Sequence, residues 1–373
     1  MIGYVIAAAG LYPLVAALLV LGMRRLRRSA ARADADCPTV TVVVTARNEA
    51  GTLPVCVESL LALDYPADRL DFVLVDDRST DGTGALLDDV ARRTSRVRVL
   101  HTELLPDNGL DAKARGLAHG MANATGEWIL ITDADARVPR SWARHLVGRV
   151  DASTALVGGT AIVEPRQWWG RAERTTWAFL QTINLGFAGW GRAVVCVGPN
   201  MGIRRSVYVA AGGLERARFR IAEDLALFRM GRDAGGGAQV YADAETAVLM
   251  QQVPSPTHLA SQLRRWVGGA LEQGPAYRLG VPFALAWGVG VAAFWLAGWA
   301  VAPTAWVAFV VAKIVVDALL LSTIGSRVSV RALSRDVLRL WAVQLVAMAW
   351  LPASMVVARR IQWRGDGYAV KYT

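Results

Sequence analysis

The stretch "ILITDADARV", residues 129–138, is an apolar run that ends in two carboxylates, Asp133 and Asp135. Its β-branched start predicts a buried β-strand. Alternate side chains of an extended chain share a face, so the two acids can point the same way. Acidic side chains at the end of a buried strand therefore indicate a ligand site at the edge of a sheet.

Three similar runs precede this strand, "TVTVVVTA" (39–46), "DFVLVDD" (71–77) and "VRVLHT" (97–102). They alternate with helical patterns near 49–61, 82–93 and 111–124. Such alternation predicts an α/β fold whose sheet is mostly parallel and Rossmann-like, with ligands bound outside the carboxyl ends of the strands. Polar clusters follow three of the four strands, as "TARNEA", "DDRSTDGT" and "DAD".

The composition indicates a soluble domain tethered to a membrane. The 373 residues are 54% hydrophobic and 19% charged. The net charge of +10 is carried by arginine, since the only lysines are Lys113, Lys313 and Lys371. Arginines that flank apolar spans are typical of anchors at anionic lipid headgroups, so we expect a membrane partner and no nucleic acid. The three cysteines form no CxxC pair, and no disulfide framework or Cys/His zinc site is indicated.

An N-terminal anchor is predicted over residues 1–22, because residues 2–21 are uninterruptedly apolar and "MRRLRR" follows at 23–28. A signal peptide would carry its positive charge before the apolar core. We therefore expect a retained helix whose C-terminal end faces the cytoplasm.

Residues 281–324 contain only two charged side chains, Lys313 and Asp317, and their length suits two spans broken near Pro303. The i,i+4 spacing of the two charges predicts an ion pair on one helical face. Residues 340–357 are a third, shorter candidate span. A third full span would export the basic tail 358–373, so either one C-terminal segment is re-entrant or interfacial, or the charge rule fails. Both alternatives stay open.

Several polar clusters are candidates for chemistry. Asp133 and Asp135 offer hard oxygen ligands that suit Mg²⁺ or Mn²⁺, with solvent and a substrate diphosphate completing the shell. Glu223 and Asp224 interrupt the apolar run "FRIAEDLALFRM", and desolvation there would raise a carboxylate pKa toward that of a general base. Surface acids on an amphipathic helix are the alternative.

Two further motifs carry cations and aromatic rings. Lys113 is the only lysine of the predicted soluble domain and lies in "DAKARGLAHG". A solvated helix face is the ordinary alternative. "SQLRRW" presents Arg265 and Trp266, a guanidinium and an indole that suit a diphosphate and a base or sugar. An interfacial Trp/Arg anchor would look much the same.

The ordered set "TARNEA", "VDDRSTDGT", "KARGLAHG", "DAD", "AED" and "QLRRW" resembles the membrane-bound family 2 glycosyltransferases, which have a GT-A fold. The tail "IQWRGDGY" is similar to that of ceramide, hopanoid and carotenoid members, although Asp366 interrupts their basic pattern. For the nucleotide, the resemblance implies that Ala46 and Glu49 line the nucleoside site, that Asp76 or Asp77 lies near the base, that Lys113 sits in the nucleotide pocket and that Asp133 lies near the ribose or phosphate. For the chemistry, it implies that Asp135 binds the metal and that Asp224 is the general base with Glu223 beside it. It also implies that the diphosphate and acceptor are covered by Gln262, Arg265 and Trp266.

The expected organisation is an anchor (1–22), a GT-A catalytic domain (38–257), a QxxRW segment with an interfacial helix (258–280), C-terminal transmembrane or re-entrant helices (281–357) and a basic cytosolic tail (358–373). The expected protein is a multi-pass enzyme of the inner membrane with its catalytic domain in the cytosol.

The resemblance implies an inverting transferase that uses a nucleotide sugar donor, more readily a uridine-linked one, and a divalent metal, Mg or Mn. Tryptophans among arginines at 164–191 favour an interfacial surface and a lipid acceptor. The alternatives are a processive polysaccharide synthase and, from another class, a catalytically silent nucleotide-sugar binder that regulates a membrane partner.

Overall fold

The computed structural model describes residues 2–217, 219, 222–271, 299–300, 303–330, 333–357, 360–363 and 366–369. The α-helices are α1 (Ile2–Arg25), α2 (Leu53–Leu61), α3 (Thr83–Arg93), α4 (Ala112–Ala122), α5 (Trp142–Leu146), α6 (Trp168–Gly189), α7 (Arg205–Ala210), α8 (Glu223–Asp233), α9 (Pro256–Leu271), α10 (Pro303–Arg327) and α11 (Val337–Val357). The strands are β1 (Val40–Ala46), β2 (Leu70–Asp76), β3 (Val97–His101), β4 (Trp128–Asp133), β5 (Ala136–Arg137), β6 (Thr154–Gly158), β7 (Ala161–Glu164), β8 (Met201–Arg204), β9 (Gly237–Val240), β10 (Val248–Gln251), β11 (Arg360–Trp363) and β12 (Asp366–Ala369).

A seven-stranded sheet in the order β3-β2-β1-β4-β8-β6-β9 forms the centre of the α/β domain. The pairs β1–β2, β2–β3, β1–β4 and β6–β9 are parallel, and β8 runs antiparallel to both of its neighbours. The prediction of a mostly parallel sheet is therefore confirmed. The four predicted strands and the helices between them lie within a few residues of their expected bounds.

Both faces of this sheet are buried, as its apolar strands predict. Val42 and Val44 of β1 pack on one face with α2 and α5, and Val43 packs on the other with α4. The second face continues into a layer of helices made of α1, α6, α10 and α11.

Helix α2 begins at Leu53, four residues later than the pattern suggests, because residues 47–52 form a loop that is bonded to the loop after β2. The backbone N–H groups of Asn48, Glu49 and Ala50 donate to the side chains of Ser79, Thr83 and Asp81, at 2.8–3.0 Å. The loops that follow β1 and β2 are thus held together at the carboxyl end of the sheet.

The predicted ion pair in the C-terminal region is confirmed. Lys313 Nζ lies 2.6 Å from Asp317 Oδ2, both on α10. The Asp317 carboxylate also accepts hydrogen bonds from Tyr12 of α1 and from Trp341 of α11, and Lys313 donates to Gln344. The pair therefore joins three helices.

Among the described residues, α10 is the one helix long and apolar enough to cross a membrane by length and composition. It begins at Pro303, and the span expected before it lies outside the described residues except for residues 299–300. At the other end of α10, Arg327 donates to the carbonyls of Leu26 and Ala242, so the C-terminal ends of α1 and α10 both meet the α/β domain.

The third apolar segment, α11, contacts helix α9. The Arg264 guanidinium of α9 lies 5.9 Å from the centroid of the Trp350 ring, and β11 contacts α9. The part of the tail that the structure describes pairs as an antiparallel hairpin of β11 and β12.

Candidate active site

The register of the sheet brings the predicted acidic residues to one edge. Ala46 at the end of β1 lies opposite Asp76 of β2, and Thr45 lies opposite Asp133 of β4. The carboxyl ends of β1, β2 and β4 therefore place the clusters after these strands side by side, in the position where parallel sheets bind ligands.

Asp77 is fully buried and its carboxylate is already bonded. Arg115 donates Nε to Oδ1 at 3.0 Å and Nη2 to Oδ2 at 3.1 Å, and the Thr102 hydroxyl donates to Oδ1 at 2.8 Å. A two-point guanidinium pair is rigid, so Asp77 fixes the loop. Arg115 was not predicted from the sequence, although it lies two residues after Lys113 in the motif "DAKARGLAHG".

Asp76 is also buried, with two different neighbours. Its Oδ1 accepts the Ser79 N–H at 3.2 Å, and its Oδ2 lies 3.2 Å from His101 Nδ1. On the neighbouring loop, Glu49 accepts the Thr52 hydroxyl at 2.6 Å. Asp76 and Glu49 thus lie at adjoining strand ends, as predicted.

Lys113 lies among three carboxylates, those of Asp133, Glu223 and Asp224, which form the acidic cluster. Its Nζ lies 2.5 Å from Asp133 Oδ1 and 3.2 Å from Glu223 Oε1. Burial lowers the pKa of this ammonium, but Asp133, Glu223 and Asp224 outweigh burial and raise the pKa above its usual range. Lys113 stays charged, and it joins the DxD strand to the acidic pair of α8.

Asp224 has the electrostatic character of a base. Burial, and then the neighbouring Glu223, raise its pKa to about 6, although Lys113 lowers it. Its carboxylate accepts N–H groups from Gly198 at 3.1 Å and from Leu225 at 2.8 Å. The turn that contains Gly198 precedes β8, so the central sheet positions this carboxylate.

Asp135 is partly exposed just beyond β4. Burial, followed by the charges of Asp135, Asp133 and Glu49, raises the pKa of the buried Cys56 thiol, so these three carboxylates lie near Cys56. Within the described part of the chain, no group of three or more His, Cys, Asp or Glu side chains gathers as a ready metal cage.

The QxxRW segment forms part of α9 and borders the acidic cluster. A Cβ atom on Gly269 would lie 2.8 Å from the Cβ of Ala222, the residue before Glu223. The Trp266 ring contacts the Trp177 ring of α6, with centroids 4.4 Å apart. Arg265 and Gln262 are partly buried on the same helix. Trp177 was noted in the sequence only as part of an interfacial tryptophan cluster.

A mostly parallel sheet with acids, a lysine and a desolvated aspartate at its carboxyl edge defines a GT-A-like α/β enzyme. Two family models agree with this class. "Glycosyl transferase family 2" matches residues 41–210 and "Glycosyl transferase family group 2" matches residues 128–357. The chain belongs to the family 2 glycosyltransferases.

Two relatives are beta-monoglucosyldiacylglycerol synthases. The Synechocystis protein is 34% identical over 110 residues, which are 30% of this chain and 22% of the relative. The Nostoc protein is 25% identical over 245 residues, which are 63% of this chain and 50% of the relative. The chain thus spans half or less of these relatives.

Among solved structures, a mannosyltransferase from Pyrobaculum calidifontis, in complex with GDP-Man and Mn2+, is similar over 93% of this chain and 96% of that chain. The TM-score is 0.53 and the sequence identity is 21%. This likeness supports the GT-A-like fold.

Proposed function

We propose that this protein is an inverting glycosyltransferase that moves a sugar from a nucleotide sugar, preferentially a UDP-sugar, to a hydroxyl group of a membrane lipid. The observation that carries the proposal is Lys113, which bonds Asp133 at the strand end and Glu223 beside Asp224. This arrangement puts a phosphate-binding cation and a base of raised pKa within one cluster.

The donor would lie across the carboxyl ends of β1, β2 and β4. We assign Ala46, Glu49 and Asp76 to the nucleoside, and Lys113 and Asp133 to the ribose and phosphates. We assign Asp77 a supporting role in the same pocket. Its carboxylate accepts two hydrogen bonds from Arg115 and thereby holds the loop that begins after Asp76.

The proposed chemistry is one displacement. Asp224 takes the proton of the acceptor hydroxyl while that oxygen forms a bond to the anomeric carbon. The bond from this carbon to the diphosphate breaks on the opposite side, and the nucleoside diphosphate leaves. Glu223 holds Lys113 beside the base, and Gln262, Arg265 and Trp266 of α9 close over the diphosphate and acceptor.

A divalent metal, Mg²⁺ or Mn²⁺, fits the charge of the site. Lys113 faces the three carboxylates of Asp133, Glu223 and Asp224, so a divalent cation would help a diphosphate to bind beside these acids. We propose that Asp135 binds the metal, with diphosphate oxygens as further ligands, since Mg²⁺ is usually bound through one or two carboxylates together with substrate phosphates. When bound, the ion offsets the charge on the departing diphosphate.

The lipid acceptor is supported by the surface of the helical layer. Side chains such as Leu14, Leu18, Val311 and Val315 of α1 and α10 are roughly half exposed, between 48% and 59%. Two relatives are named for a glucosyl diacylglycerol product. We therefore propose a multi-pass protein of the inner membrane whose cytosolic domain, 38–257, takes its acceptor from the bilayer. The other proposed segments are the anchor (1–22), the QxxRW segment (258–280), the C-terminal helices (281–357) and the tail (358–373).

The test is turnover by purified protein. Labelled UDP-glucose and GDP-mannose are supplied with dioleoylglycerol in phosphatidylcholine vesicles and with cell lipid extracts, and products are analysed by mass. One added hexose on a lipid, lost with EDTA and restored by Mn²⁺ or Mg²⁺, is expected. A ladder of masses would indicate a processive polysaccharide synthase instead, and donor binding without product would indicate a silent binder.

The Asp135→Ala variant should lose the metal-dependent transfer. Asp107→Ala, an exposed acid in the loop before α4, is the matched control. Full turnover by Asp135→Ala would refute the metal assignment.

A further inference from the structure

His101, the last residue of strand β3, lies between two carboxylates. Its Nδ1 is 3.2 Å from Asp76 Oδ2, and its Nε2 is 3.0 Å from Asp88 Oδ1. Asp76 ends the neighbouring strand β2, whereas Asp88 belongs to helix α3. The imidazole ring therefore connects α3 to the strand end that we assign to the nucleoside.

The charge of the ring decides how many of these contacts are hydrogen bonds. A neutral imidazole has one N–H donor and one lone pair, whereas the imidazolium donates from both nitrogens. Strand β3 packs against β2 and α3, and each of these elements brings one titratable group to the ring, Asp76 and Asp88. Burial lowers the pKa of His101, but the hydrogen bonds and charges of Asp88 and Asp76 outweigh burial and raise the pKa above its usual value.

The two carboxylates differ in their access to solvent. The Asp76 side chain is 7% exposed, while that of Asp88 is 48% exposed. Asp76 Oδ1 accepts the Ser79 N–H, and the first turn of α3 covers Oδ2 closely, since a Cβ atom on Gly84 would lie 2.7 Å from it. When His101 loses its proton, Asp88 can turn to water and release the ring. Asp76 then keeps at most a hydrogen bond from a neutral ring, which is weaker than a charge-assisted one.

Helix α3 also holds the other loop of the proposed nucleoside pocket. The hydroxyl of Thr83, the first residue of α3, accepts the Glu49 N–H at 2.8 Å. Asp76 and Glu49 are thus both connected to this helix, Asp76 through His101 and Asp88. The position of α3 therefore affects both residues that we assign to the nucleoside.

We propose that protonated His101 positions the Asp76 carboxylate for the nucleoside of the donor, so that binding of the nucleotide sugar weakens as the pH rises. A carboxylate that is fixed in advance loses less freedom when a base N–H or a ribose hydroxyl donates to it, and this raises affinity. The inference rests on the proposed function. It adds His101 and Asp88 as positioning residues that act through Asp76.

Calorimetry of donor binding from pH 6.5 to pH 8.5 tests the proposal without turnover. The titrant is UDP-glucose or GDP-mannose, whichever binds more tightly, with Mg²⁺ present. The wild-type Kd should rise about fivefold over this range, because a charge-assisted hydrogen bond becomes a neutral one. His101→Asn keeps an amide donor near the position of Nδ1 but does not titrate. Its Kd should therefore be independent of pH and close to the wild-type value at pH 8.5.

The Asp88→Asn variant separates this role from a merely structural one. It removes one of the two charges that hold the proton on His101, so the rise in Kd should move to lower pH. Because the Asp88 side chain is half exposed, the variant should stay folded. Asp89→Asn is the matched control on the same helix, since Asp89 pairs with Arg92 and Arg93, and its Kd should follow the wild type at each pH.

Each outcome bears on the proposal. A wild-type Kd that does not change with pH, or a rise that Asp88→Asn does not move, would overturn it and leave the proposed function standing. The expected pH dependence in a protein that transfers no sugar to cell lipid extracts would support the role of His101 and refute the proposed function. No binding of either nucleotide sugar would refute both.

Discussion

The chain contains two lysine–aspartate pairs of nearly equal length in very different surroundings. Lys113 and Asp133 lie 2.5 Å apart at the mouth of the sheet, with side chains 20% and 28% exposed. Lys313 and Asp317 lie 2.6 Å apart within the helical layer, with side chains 11% and 0% exposed. Distance alone does not distinguish the two pairs, but their further neighbours do.

The helical pair is saturated with partners. Asp317 also accepts from Tyr12 and Trp341, and Lys313 also donates to Gln344. In the sheet pair, Lys113 also faces a second carboxylate, that of Glu223, at 3.2 Å. The first arrangement fastens three helices together, whereas the second is suited to bind a ligand and a cation. A lysine–aspartate pair is thus a candidate site when further acids face it and solvent reaches it.

The largest effect is expected at the acidic cluster. Asp224→Asn removes the proposed base, and general-base catalysis is typically worth ~10² to 10⁴-fold, so kcat should fall by that order. Calorimetry should show nearly unchanged binding of the donor nucleotide. Asp233→Asn, an exposed acid at the other end of α8, is the control and should keep full activity. Full turnover by Asp224→Asn would show that another group takes the proton.

Next in size is the loss of stability when the helical pair is broken. Lys313→Met leaves Asp317 buried without its cation, and breaking a buried pair costs about 3–5 kcal/mol, so the Tm should fall sharply. The folded fraction should keep its kcat. Replacing both partners, as Lys313→Met with Asp317→Leu, should recover much of the Tm, because no charge then remains buried.

Lys113→Met is the matched change in the other pair. It should weaken donor binding and lower Tm much less than Lys313→Met, since Asp133 is reached by solvent. The comparison would fail if Lys313→Met lowered kcat at an unchanged Tm, or if Lys113→Met were the more destabilising variant.

The same two regions show which contacts could be predicted from the sequence and which could not. Strand periodicity predicted β1 to β4, and their parallel pairing alone brings Asp76 and Asp133 to one edge. The i,i+4 spacing predicted the pair of Lys313 and Asp317, because both residues lie on one helix. Local pattern was sufficient wherever neighbours in space are neighbours in sequence or in adjacent strands.

Contacts between distant segments left no such pattern. The partner of Asp77, Arg115, is 38 residues away, and the partner of Asp317, Tyr12, is 305 residues away. The stack of Trp177 on Trp266 depends on how α6 and α9 pack, which no periodicity encodes. The sequence could therefore name the acids of the proposed site but not the residues that hold them.

A smaller effect concerns pH. Asp224 acts as a base only when ionised, and its pKa is raised to about 6, so kcat at saturating substrates should fall as the pH drops through about 6. Below that value the loss should be about tenfold per pH unit. Because Lys113 lowers the pKa of Asp224, Lys113→Met should move this fall in kcat to higher pH. A rate that is flat from pH 8 to pH 5 would contradict the assignment of the base.

The smallest effect is expected at Glu173, where burial raises the pKa from its usual 4.5 to about 7. A raised pKa means that the folded state favours the protonated acid. The stability of the wild-type protein should therefore be greatest below pH 4.5 and should be lost progressively as the pH rises through about 7.

Glu173→Gln keeps an oxygen that accepts the Val253 N–H, just before α9, but carries no charge at any pH. At pH 8 it should be more stable than the wild type by about 1 kcal/mol, because the wild type then holds a buried charge, and the amide NH₂ group, which needs a partner, offsets only part of that gain. Near pH 5 this advantage should disappear, because Glu173 of the wild type is then protonated in the folded state. Glu164→Gln, an exposed acid at the end of β7, is the control and should follow the wild type throughout. Equal stability of Glu173→Gln and the wild type at pH 8 would mean that Glu173 is ionised at little cost, and that the entry to α9 is held by a charge instead of a neutral acid.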